Sequence, residues 1–225
     1  MPYEAMPMRD PTAYLTAEDV ARMIDDEPEL RNKLIIRLLF RGGMRVSEMS
    51  GDRVRKKDGT VEMMQGLLIK DVLYDESCVI IPWEKRKVAK GQPKLRRKIP
   101  LDSGTMQMIK EWLLWREEFK YRLKDPRVIP LDRRTVYWVV RHAAERVGID
   151  AIGDVTSEKV HHVHPHTMRH SNSVHRVSQT GGDYNKLRAI QIDLGHKDIS
   201  TTAGYLSVSP KELHNRYDED WKGVK

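Results

Sequence analysis

A single cysteine, Cys78, stands in the 225 residues. No disulfide framework is possible within one chain, and this usage fits a reducing compartment, the cytoplasm. Long apolar runs are also missing. The longest, Leu34–Ile36 and Leu38–Phe40, fall far short of the ~20 apolar residues that span a bilayer, so no membrane role is expected. Residues 1–9 are polar, contain prolines and lack the apolar centre of a secretory signal. Repeats and low-complexity tracts are absent. So is any close group of Asp and Glu suited to a two-magnesium centre, which argues against a metal nuclease.

Apolar residues make up 39% of the chain and charged ones 32%, the balance of a soluble globular protein. The net charge is +7, which suits a polyanionic partner such as nucleic acid; a basic but inert surface explains the charge equally well.

In chain order, residues 1–14 form a loosely docked leader. Thr16 caps a helix with Leu15, Val20, Met23 and Ile24 on its buried side. A second helix carries Leu30, Leu34, Ile35, Leu38 and Leu39 at helical spacing and stops at Gly42-Gly43. Arg45 opens a short helical stretch, Val46–Met49. Arg53–Gly59 reads as a charged turn; Leu67–Val72 and Val79–Ile81 read as strands. Lys85–Lys98 is dense in Lys and Arg and runs into the strand-like Ile99-Pro100-Leu101. With Gly91 and Pro93 for its turn, it reads as a basic β-hairpin, a nucleic-acid finger rather than a plain solvated loop. A helix capped by Asp102 or Ser103 carries Met106, Ile109, Leu113 and Phe119 on one side. Another runs from about Asp132 to Val147, and Gly148 closes it. A polar loop, 149–163, precedes a helix from Pro165 to about Gln179. A further helix ends at Leu194, and a charged one begins at Pro210. The fold class is α+β, mainly α-helical with a small three-stranded antiparallel sheet.

The last third holds the densest chemistry. His166 and Arg169 are three apart, so both can face one oxygen on a helix. Leu194-Gly195-His196 follows, then Tyr205 behind Ile199–Gly204. Attack on a phosphodiester builds negative charge on the non-bridging oxygens. Two guanidiniums, Arg45 and Arg169, suit that charge because each presents a planar fork of donors. Lys90 can protonate the departing 5′ oxygen, and His166 and His196 can shuttle protons or donate to the phosphate. Tyr205 can act as the nucleophile, given cationic neighbours. His161, His162 and His164 beside His166 are better read as loop histidines than as a zinc site, and no metal is expected. Singly, each position has an ordinary explanation: Arg45 as an arginine paired with Glu48, Tyr205 as a half-buried tyrosine, His196 as a helix-end cap.

Jointly the positions resemble a family. His166-Thr167-Met168-Arg169-His170 is similar to the H-x-L-R-H box of tyrosine recombinases, the phage integrase family. Leu194-Gly195-His196 with Tyr205 resembles that family's nucleophile box. Gly43-Met44-Arg45-Val46-Ser47-Glu48 resembles its first arginine box, and Lys90-Gly91 ahead of Ile99-Pro100-Leu101 its lysine hairpin. The boxes occur in the family's order over roughly residues 15–209.

The resemblance implies a catalytic domain at 15–209 and a C-terminal segment, 210–225, that docks on a neighbouring subunit. It implies strand cleavage and rejoining through a covalent 3′-phosphotyrosine at Tyr205, with no cofactor. Arg45 and Arg169 bind the scissile phosphate, Lys90 is the general acid (Lys87 and Lys94 are the alternatives), and His166 and His196 assist. Lys85, Arg86, Lys87, Lys94, Arg96 and Arg97 are the expected DNA contacts. The partners are double-stranded DNA and other copies of the chain, as dimer or tetramer. Family members usually carry a further N-terminal helical domain, and only about fifteen residues precede the first helix here; weak DNA affinity of this segment alone is expected. Rival readings are a type IB topoisomerase and a non-catalytic DNA-binding module of the same fold.

Overall fold

The computed structural model describes residues 14–55, 59–82, 96–149, 151–152 and 161–195. The leader (apart from Tyr14) and residues 210–225 lie outside them.

Helix α2 (Leu30–Phe40) is the hub. Leu34, Ile35, Ile36, Leu38 and Leu39 all have no exposed surface, so it is buried on most of its circumference. Around it pack α1 (Ala17–Asp26), α4 (Ser103–Glu118), α5 (Arg133–Arg146) and α6 (Pro165–Ser178). The caps follow the sequence signals. Thr16 and Asp19 form a reciprocal capping box on α1, and Asp102 accepts from the amide of Thr105 on α4. Pro165 takes the first turn of α6, where its missing N–H costs nothing. Leu15, Val20 and Met23 are buried as expected.

Short α3 (Val46–Ser50) leads into a hairpin of β1 (Asp52–Arg55) and β2 (Val61–Met64). Arg53–Arg55 of the expected charged turn therefore lie in a strand, and Gly59 has φ +82°. A three-stranded antiparallel sheet follows, in the order β3 (Val72–Leu73), β4 (Cys78–Pro82), β5 (Arg96–Pro100). The expected strand at Leu67–Val72 is mostly otherwise: Ile69–Asp71 forms a 3-10 turn. Leu67 and Leu68 instead join the segment after α4, with the amide of Val128 donating to Leu67 O at 2.9 Å. In the region read as a polar loop, β6 (Ala151–Ile152) pairs with β7 (His161–His162). Helix α7 (Tyr184–Leu194) packs on α6 through a small cluster of Val177, Leu187, Ile190 and Leu194.

Phe119 departs from its expected place in the core: it is 60% exposed and stacks on Trp115. The buried stripe of α4 continues from Ile109 and Trp112 to Arg116. The Arg116 guanidinium is buried and donates to the carbonyls of Arg127 (2.6 Å), Arg122 (2.8 Å) and Asp125 (3.1 Å), so it organises the turn after the helix. Among the described residues, no helix is long and apolar enough to cross a membrane.

Truncating the hub tests this packing. Ile35→Ala should lower the unfolding free energy by about 2–5 kcal/mol, read as a shifted urea midpoint at unchanged slope.

Candidate active site

The site is built where the chain leaves α2. Gly43 sits at φ +56°, and a Cβ there would come within 2.6 Å of Leu194 Cδ2 and 2.7 Å of Asn172 Oδ1. Only glycine allows both this backbone conformation and so close an approach of the α2–α3 turn to α6 and α7. The turn delivers Arg45 to the N-cap of α3.

From there one carboxylate gathers the site. Glu48, 1% exposed, accepts the backbone N–H of Arg45 on Oε2 at 2.7 Å and Arg45 Nη1 on Oε1 at 2.7 Å. Arg97 Nη2, from β5, donates to the same Oε1 at 2.8 Å. Arg169, from α6, stands 3.8 Å from Oε2. The two expected phosphate binders, from positions 45 and 169, thus share one acid.

Both also hold the end of α7. Arg45 Nη2 donates to Gly195 O at 3.3 Å, and Arg169 Nη2 donates to Leu194 O. Arg169 Nη1 donates to Gly43 O. Carbonyls at a helix C-terminus lack intrahelical partners and carry partial negative charge, so guanidiniums suit them. Gly195 turns left-handed at φ 63° to end α7. The Leu194-Gly195 half of the nucleophile box therefore lies on the two arginines.

Three guanidiniums face one carboxylate, leaving two positive charges in excess. Burial pushes the Glu48 carboxyl up; the attraction of Arg97, then Arg45, then Arg169 outweighs it and holds the group below the usual glutamate range. Burial pulls the Arg97 guanidinium below its ordinary value, against the pull of Glu48. The Arg45 side chain keeps 21% of its surface exposed, whereas that of Arg169 keeps 5%. Such a site is suited to an anion with several oxygens.

His166 is exposed on the first turn of α6, and its ring lies 6.2 Å from that of His164 between centroids. Lys85, Arg86, Lys87, Lys90, Lys94, His196 and Tyr205 lie outside the described residues. Arg96 and Arg97 part company. Arg96 is exposed and pairs with Asp71 at 2.5 Å. Arg97, expected among the DNA contacts, turns inward at 4% exposure. The reason is the strand period: Arg97 lies two residues from buried Ile99, on the inner face of β5. That alternation was legible in Arg96–Pro100 and marks Arg97 as a site residue that a count of charges misses. Glu48 was assigned only as a partner of Arg45, with no place in the site of its own. Among the described residues, no group of three or more His, Cys, Asp or Glu is arranged to hold a metal ion.

The family model described as "Phage integrase family" matches residues 13–212. The chain belongs to the phage integrase family. The similarity extends to tyrosine recombinase XerA of Pyrococcus horikoshii, 28% identical over 209 residues (91% of this chain, 60% of XerA). Tyrosine recombinase XerD of Pasteurella multocida is 28% identical over 227 residues (94% of this chain, 64% of XerD). Among solved structures, XerH site-specific recombinase bound to difH substrate in a pre-cleavage complex superposes with a TM-score of 0.63 at 21% identity. That match covers 95% of this chain and 55% of XerH. The integrase-family chain thus spans about 60% of the length of the curated relatives it matches.

The shared acid gives a test by pH. The folded carboxyl of Glu48 titrates below its unfolded range, so its contribution is complete above the ordinary glutamate pKa and is lost as pH falls toward the folded value. Glu48→Gln should flatten this acid limb of stability. Glu48→Ala, which strands buried guanidiniums, should cost about 3–5 kcal/mol in urea unfolding at neutral pH.

Proposed function

We propose that this chain is the strand-cleaving part of a site-specific DNA recombinase or integrase. The observation that carries the reading is the meeting of Arg45 and Arg169 at Glu48, with excess positive charge. Two arginines held there match the demand of a phosphodiester under attack, whose non-bridging oxygens gain negative charge.

In this reading Tyr205 passes its phenolic proton to His166 or His196 and attacks the scissile phosphorus, forming a phenolic O–P bond as the bond to the 5′ oxygen breaks. Lys90 gives that oxygen its proton, with Lys87 and Lys94 as alternatives. His166 and His196 donate to, or exchange protons with, the phosphate. The phosphotyrosine conserves the bond energy, so a second 5′ hydroxyl can reverse the step on a new strand. The scheme calls for no metal and no cofactor. Domain boundaries at 15 and 209 belong to the same proposal.

Duplex DNA as the partner is supported by the net charge of +7, by the basic stretch Lys85–Lys98 and by the structurally similar Tn1549 transposon integrase, solved in complex with transposon right end DNA. Lys85, Arg86, Lys87, Lys94 and Arg96 are the proposed backbone contacts. A dimer or tetramer on DNA, with residues 210–225 docking on a neighbour, completes the assembly. One cysteine in the chain fits a cytoplasmic site of action.

A nicked suicide duplex carrying a candidate site tests the reading, because loss of the short product traps the covalent complex. The intact chain should give a protein–DNA band that survives denaturation and resists EDTA, and Tyr205→Phe should abolish it. Arg169→Lys should slow its formation by about 10²–10³-fold. A band that persists in Tyr205→Phe rules out this nucleophile. Relaxation of supercoiled DNA without exchange between two sites rules out recombination in favour of a topoisomerase.

A further inference from the structure

We infer that Arg97 is a positioning residue for strand cleavage: it ties β5 to Glu48 and, by sharing that carboxylate, sets how Arg45 is presented to the phosphate. This rests on the function proposed above.

The geometry is specific. Arg97 Nη2 and Arg45 Nη1 meet on one oxygen, Glu48 Oε1, at 2.8 and 2.7 Å. Removing Arg97 leaves that oxygen to Arg45 alone, and the acid then competes harder with any phosphate for the Arg45 fork. Arg97 is also the inner-face residue nearest the basic stretch. It pairs across the sheet with Ile81, next to Pro82↔Arg96, the outermost described pair of β4 and β5. Lys94, one of the lysines proposed for catalysis and DNA contact, precedes β5 by two residues in the chain.

Stability alone does not explain the residue. Its side chain is 2% exposed, yet Nε and Nη1 find no hydrogen-bond partner among the described residues. Buried donors left unpaired oppose folding, and an apolar side chain of similar length would fill the space without them. A guanidinium kept under that burden fits a demand of the site.

The test compares Arg97→Met, Arg97→Gln and Arg97→Lys with wild type in the full chain, using single-turnover cleavage of nicked duplex at saturating DNA across pH. DNA affinity is measured by fluorescence anisotropy, and folding by thermal melt. Arg97→Met should slow cleavage by about 10–100-fold while Kd stays within about threefold. Its acid limb should move to higher pH. With Arg97 gone, the described groups that face Glu48 are Arg45 and its backbone amide from its own helix and Arg169 from α6; Asp193 of α7 acts on Arg97. Arg97→Lys should keep the wild-type acid limb and most of the rate. Should Arg97→Met fail to fold, Arg97→Gln, neutral but still a donor, should show the same slowing and the same pH shift.

Unchanged cleavage in the folded neutral variant overturns the inference. So does a loss that saturating DNA restores, which makes Arg97 a DNA contact, or a loss with an unmoved acid limb that tracks the melting temperature. No covalent complex from wild type overturns the parent function and this inference with it.

Discussion

One buried carboxylate carries this architecture. Glu48 brings together a helix cap, a sheet strand and the HxxR helix, elements that local sequence would not join. Three like charges from α3, β5 and α6 cannot be packed side by side without a counter-charge, and a single counter-charge cannot neutralise them. The result is a fixed, partly desolvated positive cluster. Its strength comes from incomplete compensation, since a second acid on the three arginines would halve the excess charge left for an anion.

The backbone of α7 supplies the remaining contacts. Leu194 O and Gly195 O accept from Arg169 and Arg45, so the last turn of that helix and the two guanidiniums orient one another. Gly43 makes this possible from the opposite side by letting the α2–α3 turn close to van der Waals range of Leu194 and Asn172. The described parts of three boxes, Gly43–Glu48, Arg169 and Leu194-Gly195, therefore meet at one place.

Much of this was readable before any coordinates. Helical periodicity located α2 because Leu34, Ile35, Leu38 and Leu39 recur at a spacing that few other arrangements produce. Thr16, Asp102, Pro165 and Gly148 marked helix ends because capping is local chemistry. What escaped was decided by contacts distant in sequence. Ile69–Asp71 looked like a strand, but Leu67 and Leu68 find their partners in the segment after α4, where Val128 completes the bonding. The pairs β1–β2 and β6–β7 are two to four residues long, too short for an alternation to stand out in the sequence. Phe119 was counted with the core for its apolar side chain, whereas Arg116 holds the buried place because the carbonyls of Tyr121, Arg122, Asp125 and Arg127 accept from its guanidinium. Arg97 was counted with its basic neighbours, although its distance of two from Ile99 had already assigned it a side of the strand.

The carbonyls on the two arginines have a thermodynamic corollary. Backbone carbonyls already hold both guanidiniums, so under the proposed function a phosphate would inherit an ordered fork and be spared most of the rotamer entropy that ordering free side chains would cost. Occupancy then becomes an exchange of acceptors, phosphate oxygens for Leu194 O and Gly195 O. Any carbonyl released in that exchange leaves the last turn of α7 less firmly closed. Anion occupancy and helix-end fraying are thus linked equilibria, and each must bias the other by the same free energy.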